Sequence, residues 1–184
     1  MLEELSHHLL DIAENGPKAG ATAVFIEIDD GPTEIVLSVR DNGRGMDEAT
    51  VRKVVDPFYT TRTERRVGLG FPFLKQLAEL CGGRFSLESV PGVGTTVSAS
   101  FRKDNIDTPP LGDVPSSLIT LLTGYGSVAW HYVHRHGGKE FRLDSDELAD
   151  ALDGDSPFEN PVLAVAAREY IEENIDDLYE VERG

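Results

Sequence analysis

Cysteine is almost absent. Cys81 is the one thiol in 184 residues, so no disulfide can form within the chain. Positive charge is scarce too: 17 lysines and arginines stand against 33 aspartates and glutamates, for a formal net charge of −16. That balance argues against nucleic acid as a partner, because phosphate contacts need clustered cations. It equally disfavours anionic membrane surfaces. No apolar run approaches the roughly 20 residues of a membrane span. The opening stretch MLEELSHHLL has no basic leader followed by an apolar segment, so no signal peptide is expected. The expected location is a reducing cytoplasm. What is present is ordinary for a globular protein, with 40% hydrophobic and 27% charged residues. The length suits one domain with a small appendage.

Residues 2–15 read as a helix, with Leu2, Leu5, Leu9 and Ile12 at three- and four-residue spacing. Residues 23–29 and 34–41 alternate about the turn Asp30-Gly31-Pro32, as in a hairpin. Asp47 can N-cap a helix over 48–55. Residues 56–67 have no period and read as a loop. A helix over 72–81, stopped by Gly82-Gly83, precedes strands over 85–90 and 95–101. Beyond Asp104 the texture changes. Thr108-Pro109-Pro110 reads as a linker. A short helix over 116–122, a second hairpin about His136-Gly137-Gly138, a short helix capped by Ser145 and a long final helix from Pro161 follow.

Four clusters carry chemistry. Asp41-Asn42-Gly43-Arg44-Gly45-Met46 follows a strand directly. A carboxylate there can accept from an exocyclic amine, and the glycines let backbone approach a flat ring. Arg66-Val67-Gly68-Leu69-Gly70 opens a helix, where free N–H groups suit a phosphate, and Arg62, Arg65 and Arg66 reverse the local sign of charge. Gly92-Val93-Gly94-Thr95-Thr96 joins two strands. Asp11, Asn15 and Lys18 share one helical face, a set able to hold water, Mg²⁺ and phosphate. Taken singly, each is more often a tight turn or a solvated polar face.

Together, and in this order, the clusters resemble the GHKL superfamily of ATP-binding domains, which includes histidine kinases, gyrase and a heat-shock chaperone. Asp11 and Asn15 match its E-x-x-x-N box, with Asp for Glu. Asp41 to Gly45 match the adenine-binding D-x-G-x-G. Asp56-Pro57-Phe58-Tyr59-Thr60-Thr61-Arg62 looks like the F box of the kinase branch. Gly68-Leu69-Gly70 matches the lid hinge, and Gly94-Thr95-Thr96 the last box. The stretch from Thr60 to Gly70, then Pro109 to Asp113 and the tail around His134-Arg135 and residues 139–144, is similar to a narrower group. Its members are stand-alone proteins of anaerobes, often encoded beside iron-only hydrogenase and NADH-linked subunits.

The resemblance implies an α+β two-layer sandwich, with a mixed, mostly antiparallel sheet covered on one face by helices. It also implies Mg-ATP as ligand. Asp41 would accept from the adenine amine, Gly43, Gly45 and Met46 would bound the base, and Thr96 would support it by its hydroxyl. Asn15 would coordinate Mg²⁺. Lys18, Phe58, Thr61, Arg62, Arg66, Gly68, Leu69 and Gly70 would complete the phosphate and lid side. Asp11 would orient water or a protein hydroxyl. Two departures stand out. Asp11 is one methylene shorter than the family's Glu. Pro17 lacks the N–H that would bond back to Ala13, so the helix is expected to kink or end there, making Lys18 a less secure ligand than Asn15.

The expected division is residues 1–104 as the ATP-binding domain and 105–184 as an extension. No phospho-acceptor domain is expected ahead of the module, and His7 and His8 are expected to lie too near the nucleotide to take that part. The implied activity is therefore a regulatory ATPase or kinase acting on a protein partner, with a homodimer as one assembly. The alternative is a nucleotide-sensing subunit with little turnover. His131, His134 and His136 lack ligand-spaced partners for a metal and are expected on a solvated strand. Trp130, Tyr132 and Phe141 are candidate anchors of a partner surface; the alternative is that they cover the sheet.

Overall fold

The structure is a computed structural model, and it describes residues 3–58, 69–152 and 157–181. Six strands form one sheet in the order β3-β4-β2-β1-β5-β6. They are β1 (Ala23–Asp30), β2 (Glu34–Asp41), β3 (Phe85–Val90), β4 (Gly94–Arg102), β5 (Ala129–His136) and β6 (Lys139–Asp144). Every neighbouring pair is antiparallel except β1 and β5. The helices are α1 (Leu5–Ala13), α2 (Asn15–Lys18), α3 (Glu48–Val54), α4 (Gly70–Leu80), α5 (Val114–Gly124), α6 (Ser145–Leu152) and α7 (Pro161–Tyr179).

Strand alternation decides the layers. Val24, Ile26, Ile28, Leu37, Val39, Val97, Ala99 and Phe101 are buried beneath the helices, while Glu27, Asp29 and Arg40 on the other face stay exposed. The helices supply Leu5, Leu9, Ile12, Leu74, Ala78, Leu118, Leu121, Ile171 and Ile175 to the same core. This is the expected α+β sandwich. Among the described residues no helix is long and apolar enough to cross a membrane.

One expected break is found, and two local results differ from the sequence expectations. The first helix is two helices, broken at Glu14, because Pro17 has no N–H for the carbonyl of Ala13. The linker is a docked segment. Leu5 and Ser6 donate their N–H groups to the carbonyls of Pro110 and Leu111 at 3.0 and 2.9 Å, and Glu4 accepts from the Asp113 N–H at 3.0 Å. The open end of α1 is thus satisfied by the chain that follows β4. The second hairpin extends the main sheet, with β5 lying parallel to β1 from Ala23↔Ala129 to Asp30↔His136. The sheet therefore runs unbroken past the expected boundary at 104/105.

The aromatic residues of this hairpin are core. Trp130, Tyr132 and Phe141 are at most 6% exposed, under α6 and α7, and offer no anchor for a partner. His134 is fully buried with them instead of lying on a solvated strand. It fits because both ring nitrogens are bonded, to the Tyr132 hydroxyl at 2.8 Å and the Tyr179 hydroxyl at 2.9 Å.

Candidate functional site

The ends of β2 and β4, the α1–α2 joint and the start of α4 enclose a cavity of about 510 Å³. Its walls are mostly apolar, with Ile12, Val39, Val54, Phe71 and Val97 around a few polar groups, as suits an organic ligand with a flat ring. Asp41 ends β2 at the cavity floor. Its Oδ1 accepts the Gly43 N–H at 2.8 Å, which closes the loop after the strand. Burial pushes the Asp41 carboxyl above the ordinary aspartate range, against the opposing pull of the Gly43 and Thr95 N–H groups. A half-buried carboxylate acceptor is what an exocyclic amine requires.

The loop is shaped by contacts that forbid side chains. Gly45 has φ +68°, and a Cβ there would lie 2.0 Å from the Val90 carbonyl oxygen. Gly16, at the proline break, lets α2 cross the strand ends; a Cβ would meet Val24 Cγ2 at 2.8 Å and Asp41 Cβ at 3.0 Å. Asn42 serves the frame. Its Oδ1 accepts from the N–H groups of Thr22 and Ala23 at 2.9 and 3.0 Å.

The structure places the expected residues differently from one another. Asn15, Lys18, Asp41, Gly45 and Met46 line the cavity. Gly43 is buried in the loop beside it. Asp11 and Gly70 meet at the rim, where a Cβ on Gly70 would lie 3.7 Å from that of Asp11. Burial raises the Asp11 carboxyl pKa first of all, with Glu14 and Glu3 adding to it and His8 and Lys18 opposing. Leu69 precedes α4, 44% exposed, and Phe58 is 93% exposed and outside the lining. Thr61, Arg62, Arg66 and Gly68 lie outside the described residues.

One assignment is corrected. Thr95, not Thr96, lines the cavity. The β2–β4 register pairs Asp41 with Thr95 and Arg40 with Thr96, so Thr96 falls on the opposite face beside Phe25 and Arg40. The Thr95 hydroxyl is bonded to Ser89 Oγ at 2.8 Å, and Ser89 Oγ accepts the Met46 N–H at 2.8 Å. Ser89 and Arg44, which also lines the cavity, are absent from the expected set. Ser89 is found only through the β3–β4 register. Lys18 reaches the cavity with its ammonium held by Glu14 at 3.1 Å.

A larger and more polar depression, about 610 Å³, lies at the other end of the strands around Glu34, Arg84, Arg102 and Lys103. There Arg102 is paired with Asp104 and Lys103 with Asp30. It is the less suited of the two to a flat ring. Among the described residues no group of three His, Cys, Asp or Glu could hold a metal unaided. Asn15 offers one amide oxygen, which fits the way Mg²⁺ is held, by one or two protein oxygens together with phosphates and water.

A sandwich with a carboxylate and paired glycines at a strand end, facing an apolar cavity under helices, defines a nucleotide-binding class. Residues 1–105 match the model of the histidine kinase-, DNA gyrase B- and HSP90-like ATPases, and the chain belongs to this family. A putative sensor protein of Shewanella frigidimarina is 30% identical over 103 residues, which is 54% of this chain and 16% of that protein. The tetrathionate sensor histidine kinase TtrS of Salmonella typhimurium is 32% identical over 105 residues, 55% of this chain and 18% of that one. The virulence sensor protein BvgS of Bordetella bronchiseptica is 36% identical over 87 residues, 41% and 7% respectively. The chain spans less than a fifth of the length of each of these relatives.

Proposed function

We propose that this chain binds Mg-ATP in the cavity beside Asp41 and works as a regulatory ATPase or kinase on a protein partner. The observation that carries the reading is the half-buried Asp41 carboxylate, positioned by the Gly43 N–H on the wall of an apolar cavity of nucleotide size. Asp41 accepts from the adenine amine. Val39, Val97, Met46 and Phe71 pack around the base, and Thr95 takes the supporting place expected of Thr96. Asn15 holds the metal, whose chemistry when bound is to neutralise and orient the phosphates. Gly70 at the start of α4 faces the phosphates, and Gly68, Arg62 and Arg66 are assigned there on the family pattern alone. Asp11 orients a water or an incoming hydroxyl from the rim.

The finer reading places the chain in the stand-alone group encoded beside hydrogenase subunits, in the cytoplasm. Residues 1–104 serve as the nucleotide domain, with 105–184 and any homodimer contact serving the partner. The nucleotide-sensing alternative, with little turnover, is favoured by one observation: Asp11, already short, stands at the rim outside the cavity lining.

Calorimetric titration with Mg-ATP tests the site. Asp41→Asn turns a donor toward the adenine amine and should cost about 2–3 kcal/mol of binding. Undiminished binding by the variant overturns the assignment. Incubation with γ-labelled ATP then separates turnover or transfer from sensing.

A further inference from the structure

Arg44 is held in an unusual way for a surface arginine of so acidic a chain. Its backbone is fixed on both sides: the N–H donates to the Ala19 carbonyl at 2.9 Å, and its carbonyl accepts the Gly92 N–H at 2.7 Å. Its neighbours Gly43 and Gly45 have no room for a side chain, since a Cβ would come within 2.9 Å of Ala19 Cβ and 2.0 Å of the Val90 oxygen respectively. Arg52, Arg102, Arg135, Arg142 and Arg168 each rest on a carboxylate. The Arg44 guanidinium has no hydrogen-bond, ion-pair or ring partner among the described residues, yet the residue lines the cavity. The other cation of the lining, Lys18, is committed to Glu14.

Resting on the nucleotide reading above, we infer that Arg44 is a base-contacting residue whose guanidinium closes over the open face of the bound purine. A base anchored on Asp41 must lie against the backbone of Gly43 and Gly45, and Arg44 is the side chain between them. A planar, weakly hydrated guanidinium lies flat on an aromatic face, a geometry that a compact, strongly hydrated ammonium does not reproduce, although it too is attracted to the ring. The protein already makes such a contact on the outer sheet face, with the Arg40 guanidinium carbon 4.4 Å from the centre of the Phe25 ring. The triphosphate leaves toward Asn15 and the start of α4, away from this loop. The contact therefore holds the base and not the phosphates.

The full chain and its Arg44→Ala and Arg44→Lys variants are titrated calorimetrically with Mg-ATP, Mg-ADP and adenosine. The alanine variant should weaken all three by the same factor, about two- to tenfold for a cation over a ring. The lysine variant should recover little of it. The salt dependence of ADP affinity should not change, and this measurement decides where adenosine binds too weakly to titrate. Melting temperatures without nucleotide should agree, because no folded-state partner is lost. A loss confined to ATP and ADP, with a shallower salt dependence, would assign Arg44 to phosphate and overturn the inference; so would no loss at all. If the wild type bound none of the three, the nucleotide site itself would fall, a result distinct from either.

Discussion

The hydroxyl of Tyr179, in the last turn of α7, donates to Asp30 Oδ2 at the end of β1 across 2.7 Å. That hydroxyl has one proton, so it accepts from His134 Nε2–H at 2.9 Å. A neutral imidazole then accepts at Nδ1, and Tyr132 is the donor there at 2.8 Å. The buried chain runs Tyr132 to His134 to Tyr179 to Asp30, and Asp30 also meets Lys103 at 2.5 Å. It fastens the end of α7 to β1 and β5, and β1 is the neighbour of β2, whose far end lines the candidate cavity.

Tyr179→Phe removes the middle of this chain. The His134 Nε2–H and an Asp30 oxygen lose their partner, at a cost of about 1–3 kcal/mol. Chemical denaturation should show that loss, and the amides of the final turn of α7 should exchange faster. Unchanged stability would show that the hydroxyl carries no load.

The same chain makes stability depend on pH. Burial holds the His134 pKa down, from 6.5 to about 4, against the opposing charge of Asp30 and with the help of His136. The unfolded chain takes up this proton first, so the stabilisation is whole above about pH 6.5 and is lost as pH falls toward 4. The shift corresponds to roughly 3 kcal/mol. Denaturation midpoints from pH 7 to 4.5 should fall more steeply for the wild type than for His134→Gln. Parallel slopes would remove His134 from the account.

The register correction gives a paired test. Thr95→Val breaks the bond to Ser89 that supports Met46 and places a methyl at the cavity wall; it should weaken ATP binding about three- to tenfold, for the loss of roughly one hydrogen bond. Thr96→Val lies on the outer face and should bind as the wild type does. Titration of both with Mg-ATP reads the difference, and the reverse order would mean that the base lies on the other face.

Ending the chain after Asp104 should be severely destabilising. It leaves β1 as an open edge along Ala23–Asp30, strips α5 from α1, and releases the carbonyls of Pro110 and Leu111 from the α1 terminus. A melting curve of the fragment should show no cooperative transition. A folded, ATP-binding fragment would mean that the extension is dispensable for the core.

Local pattern alone determined the strands, the Asp47 cap and the loop after β2; the cap of α6 is Asp144, which accepts from the Asp146 N–H at 2.9 Å, and not Ser145, whose hydroxyl accepts from the Trp130 N–H at 2.8 Å. Alternation in residues 23–29 and 34–41 placed the hairpin, Asp47 capped α3 with the Thr50 N–H at 2.8 Å, and Asp41 with its glycines marked the cavity floor. These are short-range facts, set by side-chain period and by neighbours within a few residues. Pairing between distant segments was decided only in three dimensions. Which threonine faces the cavity depends on the β2–β4 register, since a one-residue slip exchanges the faces. The burial of Trp130 and His134 depends on β5 joining β1 beneath α7, more than 100 residues along the chain, and no local spacing encodes that partner. Arg44 stands in the motif for any reader of the sequence. That its guanidinium pairs with no carboxylate among the described residues is settled by where the fold leaves its acids.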